Sequence, residues 1–129
     1  MKELIRQAFS ARENSYSPYS GFRVGAALLG KSGKIYTGCN IENAAYGSSN
    51  CAERTAFFKA VSEGEREFIR IAIVGGYDGE SVAPAPCGVC RQVMTEFCEP
   101  SFEVIMAVSE DEFEVMTLGE LMPRGFMLD

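Results

Sequence analysis

The sequence predicts a single three-layer α/β/α domain over residues 1–129, with a mixed, roughly five-stranded sheet covered by helices on both faces. Three observations predict it. A chain of 129 residues has the length of one hydrophobic core and no room for a second. Its 47 % hydrophobic and 23 % charged residues are those of an ordinary globular protein, which excludes a disordered tail or a fibrous repeat. Its apolar periodicity runs in the order helix, hairpin, helix, strand, helix, strand, strand.

Residues 2–14 read as an amphipathic helix, with Leu4, Ile5, Ala8 and Phe9 spaced between charged residues. Residues 15–21 carry Pro18 and Gly21 and read as a loop. Residues 22–29 and 35–41 are strands joined by a hairpin turn over 30–34, which holds two glycines. Residues 43–50 are small and polar, a loop. A helix capped near Asn50 carries Ala52, Ala56, Phe57, Ala60 and Val61 to about Glu63. Residues 68–74 form a strand ended by Gly75-Gly76, and 77–86, with two prolines, a loop. A helix follows from about Gly88 to Cys98, with Val89, Val93, Met94 and Phe97 at helical spacing. Residues 102–108 and 113–116 are the last strands. The segment Leu118 to Leu128 is apolar for a terminus and reads as core or as an oligomer contact.

Charge and composition narrow the function. A net charge of −6, with 12 basic against 18 acidic residues, gives no hold on a phosphate backbone, so nucleic acid is not the expected partner. No apolar run approaches the ~18 residues that span a bilayer, and the first residues lack a signal peptide's apolar stretch, so a cytoplasmic protein is expected. The cytosol keeps thiols reduced, which argues against a disulfide framework built from five cysteines. The chain has no histidine. That excludes every histidine-based triad or metal site, and leaves thiolates and carboxylates for metal binding and proton transfer.

The sharpest motif is Pro86-Cys87-Gly88-Val89-Cys90, at the start of a predicted helix. Cysteines three apart on one turn have Cβ atoms about 5–6 Å apart, which suits two thiolates on one zinc. Alone, the spacing also fits a redox pair or coincidence. Cys51-Ala52-Glu53 opens another predicted helix with a thiol and a carboxylate. Three thiolates from two helix starts leave zinc's fourth position for water, and Glu53 stands beside it as the base. Three thiolates on Zn²⁺ leave a charge of −1. Two helix N-termini at roughly +0.5 each, with Arg54 in the second shell hydrogen-bonded to a thiolate, counter it. Cys39 and Cys98 have no partner at metal spacing and read as small buried residues.

Cys-x-Glu followed by Pro-Cys-x-x-Cys is the three-cysteine form of the zinc deaminase signature. With Tyr16-Ser17-Pro18-Tyr19-Ser20, Phe22-Arg23-Val24-Gly25-Ala26-Ala27, Gly38-Cys39-Asn40-Ile41-Glu42-Asn43, Cys51 to Ala56 and Pro86 to Gln92, the chain resembles the small, three-cysteine, homotetrameric cytidine deaminases over nearly its whole length. The resemblance implies the cytidine deaminase-like fold and hydrolysis of cytidine and 2′-deoxycytidine to uridine and 2′-deoxyuridine with release of ammonia, in pyrimidine salvage. It implies one Zn²⁺ per chain on Cys51, Cys87 and Cys90, Glu53 as proton shuttle, and a homotetramer. It also implies substrate contacts: Asn40 and Glu42 at the ribose hydroxyls, Phe22 and Ala52 at the base, and Tyr46 and Phe126 near a neighbouring subunit's pocket. Ala85 departs from the family pattern, where Ser often precedes Pro-Cys; only a role for that hydroxyl is affected. Read from the residues alone, Phe22 is also a plain core residue, and Asn40 and Glu42 also polar edge residues of a strand. Another aminopyrimidine nucleoside, such as blasticidin S, is the rival substrate, and Asn40-x-Glu42 favours an ordinary ribose. A non-catalytic zinc module would have no need of Glu53.

Overall fold

The computed structural model describes residues 1–128. Five strands, β1 (Arg23–Gly30), β2 (Ile35–Cys39), β3 (Phe68–Gly76), β4 (Glu103–Ala107) and β5 (Phe113–Thr117), form one sheet in the order β2-β1-β3-β4-β5. All neighbours are antiparallel except β3 and β4, which run parallel. A parallel pair needs a crossover long enough for a helix, and α3 (Gly88–Phe97) lies in that connection.

Period-two burial splits the sheet between two cores. On one face α1 (Lys2–Arg12) packs Leu4, Ile5 and Ala8 against Ala27, Ala72, Val74 and Ile105. On the other, α2 (Ala52–Ser62) and α3 pack against Ala26, Leu28, Ile71, Ile73 and Val104. Phe57 of α2 is fully buried at the centre of this second core, with the ring of Phe68 edge-on at 5.0 Å and Phe97 stacked at 6.4 Å. The helix lies close on β2 because residue 38 is a glycine: a Cβ there would come 2.5 Å from the Ala52 carbonyl oxygen and 2.6 Å from the Ala56 nitrogen.

The three-layer mixed sheet is the one the sequence predicts; several local features differ. β2 stops at Cys39, short of the expected residue 41, so Asn40 and Glu42 follow the strand instead of edging it. α1 stops at Arg12, before residue 14. The cap of α2 is Cys51, not Asn50, whose side chain donates instead to Thr55 Oγ1 at 3.1 Å. β3 runs through Gly75 and Gly76, because β1 pairs with both. The terminal segment divides: Leu118 and Leu121 are buried on α4 (Leu118–Leu121), held by a capping box between Thr117 and Glu120, while Phe126, Met127 and Leu128 are exposed. No helix among the described residues is long and apolar enough to cross a membrane.

Candidate active site

Cys51 and Cys87 hold equivalent positions. Each is the extended N-cap of its helix, α2 or α3, so the two helix starts converge with their positive dipole ends together. Cys90 lies one turn into α3, and its backbone N–H donates to Cys87 Sγ at 3.5 Å. Cys51 Sγ is 3.7 Å from Cys87 Sγ, which is 3.4 Å from Cys90 Sγ. Tetrahedral zinc with Zn–S bonds near 2.3 Å sets sulfur–sulfur separations of about 3.8 Å, so the thiols already stand at metal spacing. They are the one group of three or more potential ligands among the described residues, and neither Cys39 nor Cys98 belongs to it.

Arg54 Nη2 donates to Cys51 Sγ at 3.3 Å, placing a full positive charge against the cluster. The Cys51 thiol is acidic: a hydrogen bond from Cys90, with Arg54 and Cys87 adding, lowers it to about 5 against the effect of burial. Cys90, donor of that bond and itself buried, is pushed well up. Glu53 is the buried charged residue of the described chain, at 5 % exposure. Burial raises its carboxyl to about 7, the charge on Cys51 adds to the rise, and a backbone N–H and Arg54 oppose it. A carboxyl poised near neutrality accepts a proton in one step and returns it in the next.

The cluster forms one wall of a cleft of about 270 Å³. Phe22, Asn40, Glu42, Tyr46, Ala52 and Glu53, read as site residues from sequence, all line it with Cys51 and Cys87. Asn40 Oδ1 accepts from the Val24 N–H at 2.8 Å, and its Nδ2 donates to the Phe22 carbonyl at 2.8 Å. Those bonds fix the backbone that carries Phe22 and leave one amide N–H of Asn40 to give. Glu42 accepts from the Tyr19 and Ser20 N–H groups and from the Ser20 hydroxyl, three of roughly four acceptor sites. The Ser20 hydroxyl bond is the main cause holding its carboxyl below the usual range. Tyr46 stands at the rim, 74 % exposed. Phe126 is not brought to this cleft: it is exposed, and its carbonyl accepts from Gln92 Nε2 at 2.9 Å.

Several lining residues were not among the expected site residues. Ser20, Val24, Asn50 and Pro84 complete the wall, and Ala85 faces it with a methyl group. Arg91, given no role from the motif that contains it, donates from Nε to the Pro86 carbonyl at 2.7 Å and from Nη1 to the Leu121 carbonyl at 2.8 Å, tying the Cys87 segment to α4. A larger open groove of about 720 Å³ lies beyond Lys31, Arg70 and Glu103. Among the described residues it gathers no metal-ligand cluster, and its Arg70–Glu103 charges pair with each other at 2.9 Å.

Residues 1–106 match the family model described as the cytidine and deoxycytidylate deaminase zinc-binding region. The chain is 50 % identical over 126 residues to a cytidine deaminase of Sporosarcina psychrophila, covering 98 % of this chain and 90 % of that one. It is 50 % identical over 123 residues to a cytidine deaminase of Halalkalibacterium halodurans, covering 95 % and 91 %. Its structure superposes on the crystal structure of cytidine deaminase from Burkholderia pseudomallei with a TM-score of 0.87 and 49 % identity, covering 96 % and 97 %. Sequence, fold and thiol cluster thus agree, and the chain belongs to the zinc-binding cytidine and deoxycytidylate deaminase family.

Proposed function

We propose that this chain is a cytidine deaminase of the cytoplasm, a compartment that keeps its thiol ligands reduced. It hydrolyses cytidine and 2′-deoxycytidine to uridine and 2′-deoxyuridine with release of ammonia, in pyrimidine salvage. The observation that carries the reading is the buried Glu53 beside three thiols at zinc spacing, with Glu53, Cys51 and Cys87 lining one cleft. Cys51, Cys87 and Cys90 hold one zinc per chain. Bound there, zinc supplies the Lewis acidity that brings a water molecule's pKa down toward ~7.

The chain's own residues do the rest. Phe22 and Ala52 flank the base, and the free N–H of Asn40 and the remaining acceptor site of Glu42 meet the ribose hydroxyls. Glu53 takes a proton from the attacking water, and the oxygen bonds to the ring carbon that bears the amine. Glu53 returns that proton to the adjacent ring nitrogen. It next moves a proton from the new hydroxyl to the amine, which leaves as ammonia while the carbonyl forms. Arg54 keeps the thiol cluster from accumulating negative charge beside Glu53.

The active form is a homotetramer in which Tyr46 and Phe126, both exposed in the single chain, complete a neighbour's cleft. Light scattering then gives about four times 14.1 kDa, and an active monomer would remove the shared cleft. The direct test is loss of cytidine's ultraviolet absorbance on incubation with the purified protein. The reading expects turnover that a chelator abolishes and zinc restores; no turnover by the zinc-loaded protein would overturn it. Turnover of blasticidin S in place of cytidine would assign the rival substrate.

A further inference from the structure

Phe22 lines the cleft from the residue just before β1. Its ring is seated by the end of β3 and the loop that follows. Tyr77 meets it edge-on, with ring centroids 5.3 Å apart and planes at 81°. Gly75 lies beneath: a Cβ there would come 3.3 Å from Phe22 Cε2 and 3.1 Å from Pro84 Cγ, so the absent side chain is the space the ring occupies. Phe22 and Pro84 line the cleft and Tyr77 does not, so Tyr77 touches the cleft only through Phe22.

The loop that carries Tyr77 is tied down. The Glu80 N–H donates to the Tyr77 carbonyl at 2.9 Å, closing a turn with Gly79 at φ +76°. Val82 and Gly75 exchange backbone hydrogen bonds at 2.7 and 3.3 Å, folding the loop back on β3. From the other face of the sheet, Arg12 Nη1 donates to the Glu80 carbonyl at 3.0 Å and to Ser81 Oγ at 3.3 Å. An exposed tyrosine on a turn held at so many points is a fixed edge, not a loose one. An edge-to-face pair prefers one ring orientation over the others, and the partner ring is thereby preorganised.

We propose that Tyr77 is a positioning residue for the pyrimidine: it sets the tilt of the Phe22 ring against which the base packs, and so governs substrate affinity rather than the chemical step. This rests on the reading of Phe22 as a base contact. Tyr77→Ala should raise KM for cytidine roughly 2- to 10-fold, the worth of one edge-to-face aromatic pair. kcat and zinc content should stay at the parent values, and the melting temperature should fall by no more than the few degrees that one such pair is worth. Tyr77→Phe, which keeps the ring edge, should restore KM. In a Phe22→Leu background, where there is no ring to orient, Tyr77→Ala should have no further effect on KM.

The outcomes separate the two readings. If Phe22→Leu itself leaves KM unchanged, Phe22 is not a base contact and the proposal falls with that reading. If Phe22→Leu raises KM but Tyr77→Ala does not, only the role of Tyr77 is overturned. A Tyr77→Ala effect that persists in the Phe22→Leu background, or that comes with loss of zinc or with a fall in melting temperature well beyond a few degrees, would show general loop support and also overturn it.

Discussion

Replacing Gly38 by alanine should damage the site without changing any residue in it. The added Cβ would stand 2.5 Å from the Ala52 carbonyl oxygen, 2.6 Å from the Ala56 nitrogen and 3.0 Å from Thr55 Cβ. The closest contact is about 0.9 Å short of ordinary van der Waals contact. All three atoms belong to the first turns of α2, whose backbone cannot rotate aside as a flexible side chain would. The helix must retreat from β2 by most of that distance, weakening the 3.1 Å hydrogen bond from Thr55 Oγ1 to the Cys39 carbonyl. Cys51 and Glu53 move with it, away from Cys87 and Cys90 on α3. Overpacking of this kind costs about 1–3 kcal/mol, or roughly 3–12 °C in melting temperature at this chain length. A displacement near 1 Å at the reacting groups costs on the order of 10²-fold in turnover. Gly25→Ala is the comparison, because its Cβ would meet the backbone of α1 at Ala8 and Arg12, on the opposite face of the sheet. The assay pairs melting curves with turnover per folded molecule for both variants. Gly38→Ala should lose turnover well beyond its loss of stability, and Gly25→Ala should lose stability chiefly. Equal turnover in the two variants, or parent turnover in Gly38→Ala, would refute the claim that the seat of α2 on β2 sets the site.

Cys87→Ala and Cys90→Ala should abolish zinc binding, while Cys39→Ser and Cys98→Ser leave one zinc per chain; metal analysis of the purified variants decides it. Cys98, whose thiol burial pushes up to about 12, should resist iodoacetamide at pH 8 in the native protein, and mass spectrometry would show modification if its environment were open. Glu42 should still carry its charge below pH 4.5, because hydrogen bonds hold its carboxyl below that ordinary value. A depressed carboxyl keeps its ionic contribution until pH falls through the folded-state value. Cytidine affinity of Glu53→Gln, whose amide does not titrate, should therefore stay level from pH 7 to 5, and a steep weakening over that interval would contradict it.

The thiol cluster was legible in the sequence because its constraint is local. A thiol at a helix start and another one turn later is a spacing that chain geometry converts directly into sulfur separation, as Cys87 and Cys90 show. Which residue caps α2 was less legible. Asn50 has the better capping chemistry, but its amide is taken by Thr55, and the cap falls to Cys51, whose side chain makes no capping bond. Gly75-Gly76 reads as a strand end on propensity; pairing with β1 and the space needed by Phe22 keep the strand going. The three-residue turn at Tyr46–Ser48 and the four-residue α4 are too short to show a period. The hydrogen bonds of Asn40 to Phe22 and Val24, and the edge contact of Tyr77, join residues by tertiary position alone.

The central claim is that Glu53 moves the protons and is not a ligand. Glu53→Gln keeps the shape and hydrogen-bonding reach of the side chain and removes its ability to exchange a proton. Turnover, zinc content and cytidine affinity measured together on this variant test the claim most directly. The expected result is a loss of turnover of at least ~10²–10⁴-fold, with one zinc per chain retained and cytidine still bound through Phe22, Asn40 and Glu42. Turnover near that of the parent would contradict the mechanism, and loss of zinc would make Glu53 a fourth ligand in a closed structural site.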